Sequence, residues 1–251
     1  MSTAHRTKSS RGTAPAPPRA VAVAHRGDPY RVRENTLPSL SSALDHGADA
    51  IEADVRVTRD GVPVLLHDAT LERLWGHERH LASLSAEKVS GLTAGRLPRL
   101  DEALRVTRDS RLMIDLPGTP SRRDVAAVIG TVRDCGAAER VYWTGDARTM
   151  LQVRALDGAA ETALTWTTLA PPRPALLSAL RPRWLNYRFG LVSRELVDRA
   201  HRDGLLVSVW TPDTKRSMRR LLDLGADSVT TNRVDVLRGL LGPSRRPAID
   251  V

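Results

Sequence analysis

Glu52 and Asp54 stand two residues apart in the run Ala50–Val57, where the neighbouring Ile51, Ala53 and Val55 are apolar. Residues i and i+2 of a strand point to the same face. The two carboxylates therefore share one face and the apolar residues the other. Carboxylates that close repel each other until a cation or a proton is shared between them. Hard oxygen donors suit Mg²⁺ or Ca²⁺; salt bridges to nearby arginines would be the other way to compensate them. Asp115, in the run Leu112–Leu116, falls on the same face by the same alternation. It is either a third carboxylate for the cation or a buried acid that caps a loop.

Two histidines sit at the ends of short apolar runs. His25 closes Val21–His25 and is followed by Arg26 and Gly27; His67 closes Val64–His67 and is followed by Asp68. A histidine in such a place can be a structural hydrogen-bonder. Near-neutral titration also lets an imidazole take or give a proton. Displacement at phosphorus wants a base on the attacking oxygen and an acid on the leaving one, so a histidine pair at one mouth would serve. A guanidinium such as Arg26 is the natural partner of a phosphate or carboxylate, and Gly27 would let backbone approach a ligand closely. Trp210, late in Val207–Pro212, would fill the end of a barrel or pack against a substrate.

The elements that must position these groups follow a regular alternation. Eight β-branched or apolar runs occur near Val21–His25, Ala50–Val57, Leu112–Leu116, Val141–Thr144, Thr162–Thr167, Trp184–Phe189, Leu206–Thr211 and Ser228–Thr231. From the third onward they recur at the length of one strand, one helix and two turns. Between them lie helical patterns: Leu196, Val197 and Ala200 make one stripe, and Met218, Leu221 and Leu222 another, with Gly225 as a stop. The alternation predicts a (β/α)8 TIM barrel forming a single domain, with a doubly wound open sheet as the alternative. On a barrel the strands' C-terminal ends share one mouth, where catalytic groups gather. The longer stretch between the second and third runs reads as a turn at Gly61–Pro63 and an extra strand Val64–His67 folded back on the second. A loop with one short helix then runs to about Gly95, ahead of a helix over Pro98–Thr107.

The chain has 251 residues, 41% hydrophobic and 27% charged, enough for a packed core without disulfides or a structural metal. Cys135 is the one cysteine, which excludes an internal disulfide and a cysteine-based zinc cluster. No apolar run is long enough to span a bilayer, and the first residues lack a secretory signal's apolar middle, so a cytoplasmic protein is expected. The formal charge of +9 invites a nucleic-acid reading. Yet Arg6, Lys8, Arg11 and Arg19 lie in a Ser/Pro/Ala-rich segment over 1–19, expected to be a disordered tail, and Arg245 and Arg246 lie in a loose tail over 243–251. The expected barrel, 20–242, is only mildly positive and has no recognition-helix signature or aromatic-interleaved basic strand. No specific nucleic-acid partner is expected, and a mild positive field would still draw in an anionic substrate.

Together the motifs resemble a known family. His25-Arg26-Gly27, Glu34-Asn35-Thr36, Gly47 to Val55 (GADAIEADV), Thr58 to Val64 (TRDGVPV) and His67-Asp68 recur in order at spacings similar to those of the glycerophosphodiester phosphodiesterases. Leu97–Leu104, Val209–Pro212, Leu221–Asp227 and Val229–Arg233 resemble that family's later segments, so the likeness spans about residues 20–241. It implies a (β/α)8 barrel that uses a divalent cation (Mg²⁺, Ca²⁺ or Mn²⁺) to hydrolyse glycerophosphodiesters to glycerol 3-phosphate and an alcohol. By position it implies His25 and His67 as the acid/base pair, Arg26 on phosphate, Glu52 and Asp54 on metal, and Glu34 as a substrate or supporting contact.

This chain departs from the family at two positions on the third strand. A Glu-x-Lys is usual there, the Glu on metal and the Lys near phosphate; here the residues are Asp115 and Pro117. Asp115 keeps the charge on a side chain one methylene shorter, and Pro117 removes the cation. Arg188, at the end of the sixth run, is the expected substitute. The segment between His67 and Leu97 is short where the family often has an insertion that shapes the pocket. Two alternatives keep the barrel: a phosphodiester-binding protein with weak or lost turnover, and a lysophospholipase D-like activity on a lipid phosphodiester. The nine aromatic residues lean towards a soluble headgroup.

Overall fold

A computed structural model describes residues 20–243. The expected tail at 1–19, and all but Pro243 of the expected tail at 243–251, lie outside the described residues. Eight parallel strands run β1 (Val21–His25), β2 (Ala50–Val57), β3 (Arg111–Asp115), β4 (Val141–Gly145), β5 (Thr162–Trp166), β6 (Trp184–Arg188), β7 (Leu206–Trp210) and β8 (Ser228–Thr231). Each pairs with the next, and β1 pairs with both β2 and β8, so the sheet closes into a barrel rather than the open doubly wound alternative. Helices cover its outside in order: α1 (Leu37–Asp45), α2 (Leu100–Val106), α3 (Arg122–Asp134), α4 (Ala147–Leu156), α5 (Pro174–Leu180), α6 (Arg194–Arg202), α7 (Lys215–Asp223) and α8 (Val234–Leu241).

Period-2 alternation decides which side chains enter the barrel. Ile51, Ala53, Val55, Leu112, Ile114, Val207 and Val229 point outward and join the strand–helix core. Ile51, Leu112 and Ile114 have no exposed surface. Truncating one of these to alanine costs about 2–5 kcal/mol. Val23, Ala50, Met113 and Tyr142 form a separate apolar cluster of the other parity, inside the barrel and below its mouth. Helix starts are set locally: the side chains of Thr36, Ser121, Asp146, Ser193 and Thr214 each accept a backbone N–H of the helix they begin.

The stretch after β2 is more built than expected. Pro63–Leu65 pairs antiparallel with β2, as the hairpin expectation required, with His67 two residues past its end. The expected loop instead holds a small hairpin (Thr70–Leu71 with His77–His80) and two helices, Glu72–Trp75 and Ala86–Thr93. Val64, Leu66, Leu71, Leu81, Leu84, Val89 and Leu97 give it a core of its own. Elements of two to four residues show too little periodicity to be read from sequence.

Candidate active site

Register assembles the site from the strand ends. Asp54 on β2 lies beside Asp115 on β3, and His25 on β1 beside Glu52 on β2. Glu52, Asp54 and Asp115 each offer an oxygen within 4.8 Å of the others. Glu52 and Asp54 are buried, at 3% and 1% exposure. Burial, then the charges of Asp54 and Asp115, raises Glu52 well above the ordinary carboxylate value. Burial and the Asp54 charge push Asp115 up to about 7. Three hard carboxylates crowded in this way are a donor set that fits a divalent cation.

The arginine alternative is also present, in part. Arg26 Nε lies 3.0 Å from Asp54 Oδ2, within ion-pair range although its N–H is not aimed at the oxygen. Arg26 Nη1 donates to Glu34 Oε1 at 2.9 Å, and the Arg26 backbone N–H donates to Glu52 Oε2. Asn35 grips Asp54 twice: its Nδ2 donates to Asp54 Oδ2, and its Oδ1 accepts the Asp54 backbone N–H. Among the described residues no guanidinium pairs with Glu52 or Asp115, so the repulsion between those two is left standing.

The loop from β1 to α1 is bent to make these contacts. Arg26 and Asn35 both adopt the left-handed region, at φ 58° and 52°, uncommon for residues with a Cβ. Gly27 was expected to make room for a ligand. In the structure the close neighbour is protein: a Cβ on Gly27 would come 2.6 Å from the carbonyl carbon of Ser39 in α1.

Each histidine is oriented through Nδ1. His25 Nδ1 and Asn232 Oδ1 are 2.8 Å apart. Asn232 Nδ2 donates to Asp213 Oδ2, so the amide oxygen faces the imidazole and His25 Nδ1 carries the proton. That leaves the Nε2 lone pair, 4.0 Å from Glu52 Oε2. Burial, then the Arg26 charge, lowers the His25 pKa and favours the neutral ring. His67 Nδ1 lies 2.7 Å from Asp68 Oδ1, a carboxylate that can only accept when ionised. Arg73 bridges Asp68 to Glu34. Burial acts to raise Glu34, but the hydrogen bond from Arg73 and the charge of Arg26 outweigh it and hold this carboxyl below its ordinary value. One chain of ion pairs thus runs from His67 through Asp68, Arg73, Glu34 and Arg26 to Asp54.

The other strands give the barrel interior a different character. Asn186 Nδ2 donates to Thr144 and Thr165. Asn186 Oδ1 and the hydroxyls of Ser208, Ser228 and Thr230 are buried without a partner among the described residues, as is Trp210 Nε1. Arg188 has the parity of Asn186 on β6, pairs in register with Trp210, and is exposed. The structure brings His25, Arg26, Glu34, Glu52, Asp54, Asp115 and His67 into one connected or adjoining set; Arg188 and Trp210 stand on the far arc. Sequence reasoning assigned no role to Asn35 or Asn232, although both lie inside quoted motifs, and none to Arg73 or Asp213, whose type and spacing carry no signal.

Known proteins resemble this chain in sequence and in fold. The model described as Glycerophosphoryl diester phosphodiesterase family matches residues 25–236. A glycerophosphodiester phosphodiesterase of Caldanaerobacter subterraneus is 26% identical over 248 residues, 89% of this chain and 98% of the relative. A phosphodiesterase of Oleispira antarctica, solved in complex with the product sn-glycerol-3-phosphate, shares the fold with a TM-score of 0.80 at 20% identity, over 88% of this chain and 96% of that one. A glycerophosphodiester phosphodiesterase of Thermotoga maritima superposes with a TM-score of 0.73 at 20% identity, over 88% and 98% of the two chains.

Proposed function

This chain belongs to the glycerophosphoryl diester phosphodiesterase family of phosphoric diester hydrolases, and from that premise we propose that it hydrolyses glycerophosphodiesters to sn-glycerol 3-phosphate and an alcohol. The product carried by the Oleispira antarctica relative supports the choice of glycerol 3-phosphate. The observation that carries the proposal is the joining of two Nδ1-anchored histidines to a three-carboxylate cluster at one barrel mouth.

Glu52, Asp54 and Asp115 would hold a divalent cation, which supplies charge stabilisation to a bound phosphate. His25, neutral with its lone pair on Nε2, takes the proton of the attacking oxygen, from water or a neighbouring glycerol hydroxyl. His67, oriented by the contact of its Nδ1 with Asp68, gives a proton to the departing alcohol oxygen. Attack through a glycerol hydroxyl makes a cyclic phosphate first, and water then opens it. Arg26 and Glu34 keep the acid and base sides in one electrostatic frame.

The test is release of sn-glycerol 3-phosphate from glycerophosphocholine and glycerophosphoethanolamine, with Mg²⁺, Ca²⁺ or Mn²⁺ and with EDTA. Metal-dependent release that disappears in Glu52→Ala is expected. Folded protein that releases none with any metal would overturn the proposal, and release only from a lysophospholipid would move it to the lipid substrate.

A further inference from the structure

Arg56 is the next inward position on β2 after Glu52 and Asp54, by the parity that brings those carboxylates into the barrel. Its Nε donates to the carbonyl oxygen of His67 at 2.7 Å. That bond fixes the direction of the guanidinium and uses only one of its five N–H groups. Nη1 and Nη2 have no hydrogen-bond partner among the described residues.

The three arginines on this side of the mouth differ in this respect. Arg26 is engaged by Glu34 and Asp54, and Arg73 by Glu34 and Asp68. Arg56 feels the charges of Asp54, Asp68 and Asp115 without pairing to any of them. Its fork lies beside β3's outgoing loop: a Cβ on Gly118 would stand 3.7 and 3.8 Å from Nη1 and Nη2. Asp54 lies beside Asp115, and Arg56 and Pro117, each two residues further on, line one cavity, where the proline has no charge to offer. A phosphate needs such a cation here, because three carboxylates would otherwise repel it.

We propose that Arg56 is a phosphate-binding residue of this enzyme, its Nη1 and Nη2 donating to two non-bridging oxygens of the phosphodiester at the position that Pro117 leaves without charge. The proposal rests on the phosphodiesterase function put forward above. A guanidinium fork matches two phosphate oxygens in a way a point charge does not. Arg188, exposed on the far arc, is left as an outer contact. The same Arg56 side chain would tie His67 to the substrate, since one guanidinium holds the His67 carbonyl and the phosphate together.

The test uses the full chain loaded with Mg²⁺, comparing wild type with Arg56→Met and Arg56→Lys. Calorimetry with inorganic phosphate and with sn-glycerol 3-phosphate reads the site directly. Arg56→Met is expected to weaken both ligands by about tenfold or more, the scale of a lost charge-assisted hydrogen bond. It should raise KM for a glycerophosphodiester by a similar factor, while Mn²⁺ affinity, read by equilibrium dialysis without substrate, does not fall. Arg56→Lys should recover part of the phosphate affinity and, if Arg56→Met fails to fold, carries the test with a smaller loss in the same direction. Unchanged phosphate affinity in the variants, or a loss matched by an equal loss of Mn²⁺ affinity, would overturn the proposal. The two proposals fail separately: a wild type that binds phosphate through Arg56 but hydrolyses no diester sinks only the proposed reaction.

Discussion

Strands β1 to β3 and strands β6 to β8 furnish two arcs of one barrel mouth with unlike chemistry. The first arc is ionic. Its acids and bases are tied to one another, from His67 and Asp68 through Arg73, Glu34 and Arg26 to Asp54, and Glu52 and Asp115 are held as a strained, half-compensated pair. The second arc has uncharged buried groups, with Arg188 exposed at its edge, and its buried Asn186 Oδ1, Ser208, Thr230 and Trp210 Nε1 have no partner among the described residues. The ionic arc is preorganised for charge development and proton transfer, where fixed dipoles and charges act most strongly. The neutral arc is open to the uncharged part of a ligand or to water. Substitutions of the carboxylates and histidines in the first should lower kcat, and substitutions in the second should change KM or nothing.

The largest expected contrast sets Glu52→Ala against Ser208→Ala. The first should abolish divalent-cation binding and lower kcat by about 10³-fold, the scale of metal charge stabilisation; Ser208→Ala should stay within about twofold of wild type, as a weak polar contact would. Equal losses would dissolve the distinction between the arcs. Next come His25→Ala and His67→Ala, each costing at least about 10² in kcat. Near-normal turnover in either removes it from the couple. Asn232→Leu should act through His25: it frees Nδ1 and removes a hydrogen bond that raises the His25 pKa, so the acidic limb of the kcat/KM pH profile should move to lower pH while KM holds. A profile that does not move would show that Asn232 does not position the ring.

The ionic arc also predicts a pH-dependent stability. Asp115 is pushed up to about 7 and Glu52 is raised, so the folded, metal-free protein holds protons that the unfolded chain releases. This contribution is fully present below about pH 4, the unfolded carboxylate value, and is lost as pH rises through about 7. Melts in EDTA should show Tm falling by several degrees across that window, roughly the shift expected for 1 kcal/mol or so in a chain this size, and divalent cation should restore it. Flat melts in EDTA would show that the carboxylates are not strained. Glu34 and Asp68 are held below their ordinary values, so they act oppositely but at lower pH, outside the window. The smallest effect is reserved for Arg188→Ala: roughly threefold in KM, the scale of one exposed charge, with kcat unchanged. An unchanged KM would remove Arg188 from the site.

Much of the ionic arc was legible in the sequence because its parts are local. Glu52 and Asp54 share a face by strand parity alone, His25 closes an apolar run that forms β1, and His67 follows an apolar run whose strand ends at Leu65. The neutral arc was nearly illegible. Serine and threonine inside a strand look like ordinary strand residues, and only closure of the barrel makes them interior. The Gly27 expectation failed for the same reason, since the Ser39 backbone that crowds it comes from another element.

Residue order by itself determined the eight βα units, the inward faces of β2 and β3 and the residue types at the ionic part of the mouth, because period-2 alternation and helix caps act within a few residues. Register, loop conformation and partner choice belong to the tertiary structure. The alignment of Asp54 with Asp115 depends on how two strands whose paired residues lie 61 apart in the chain slide against each other. The occupied forks of Arg26 and Arg73, and the Arg56 fork that has no partner among the described residues, depend on which carboxylates folding brings within reach. A charge in a sequence has no partner until the fold supplies one, and here that assignment separates the arginines that hold the site together from the one left facing the substrate.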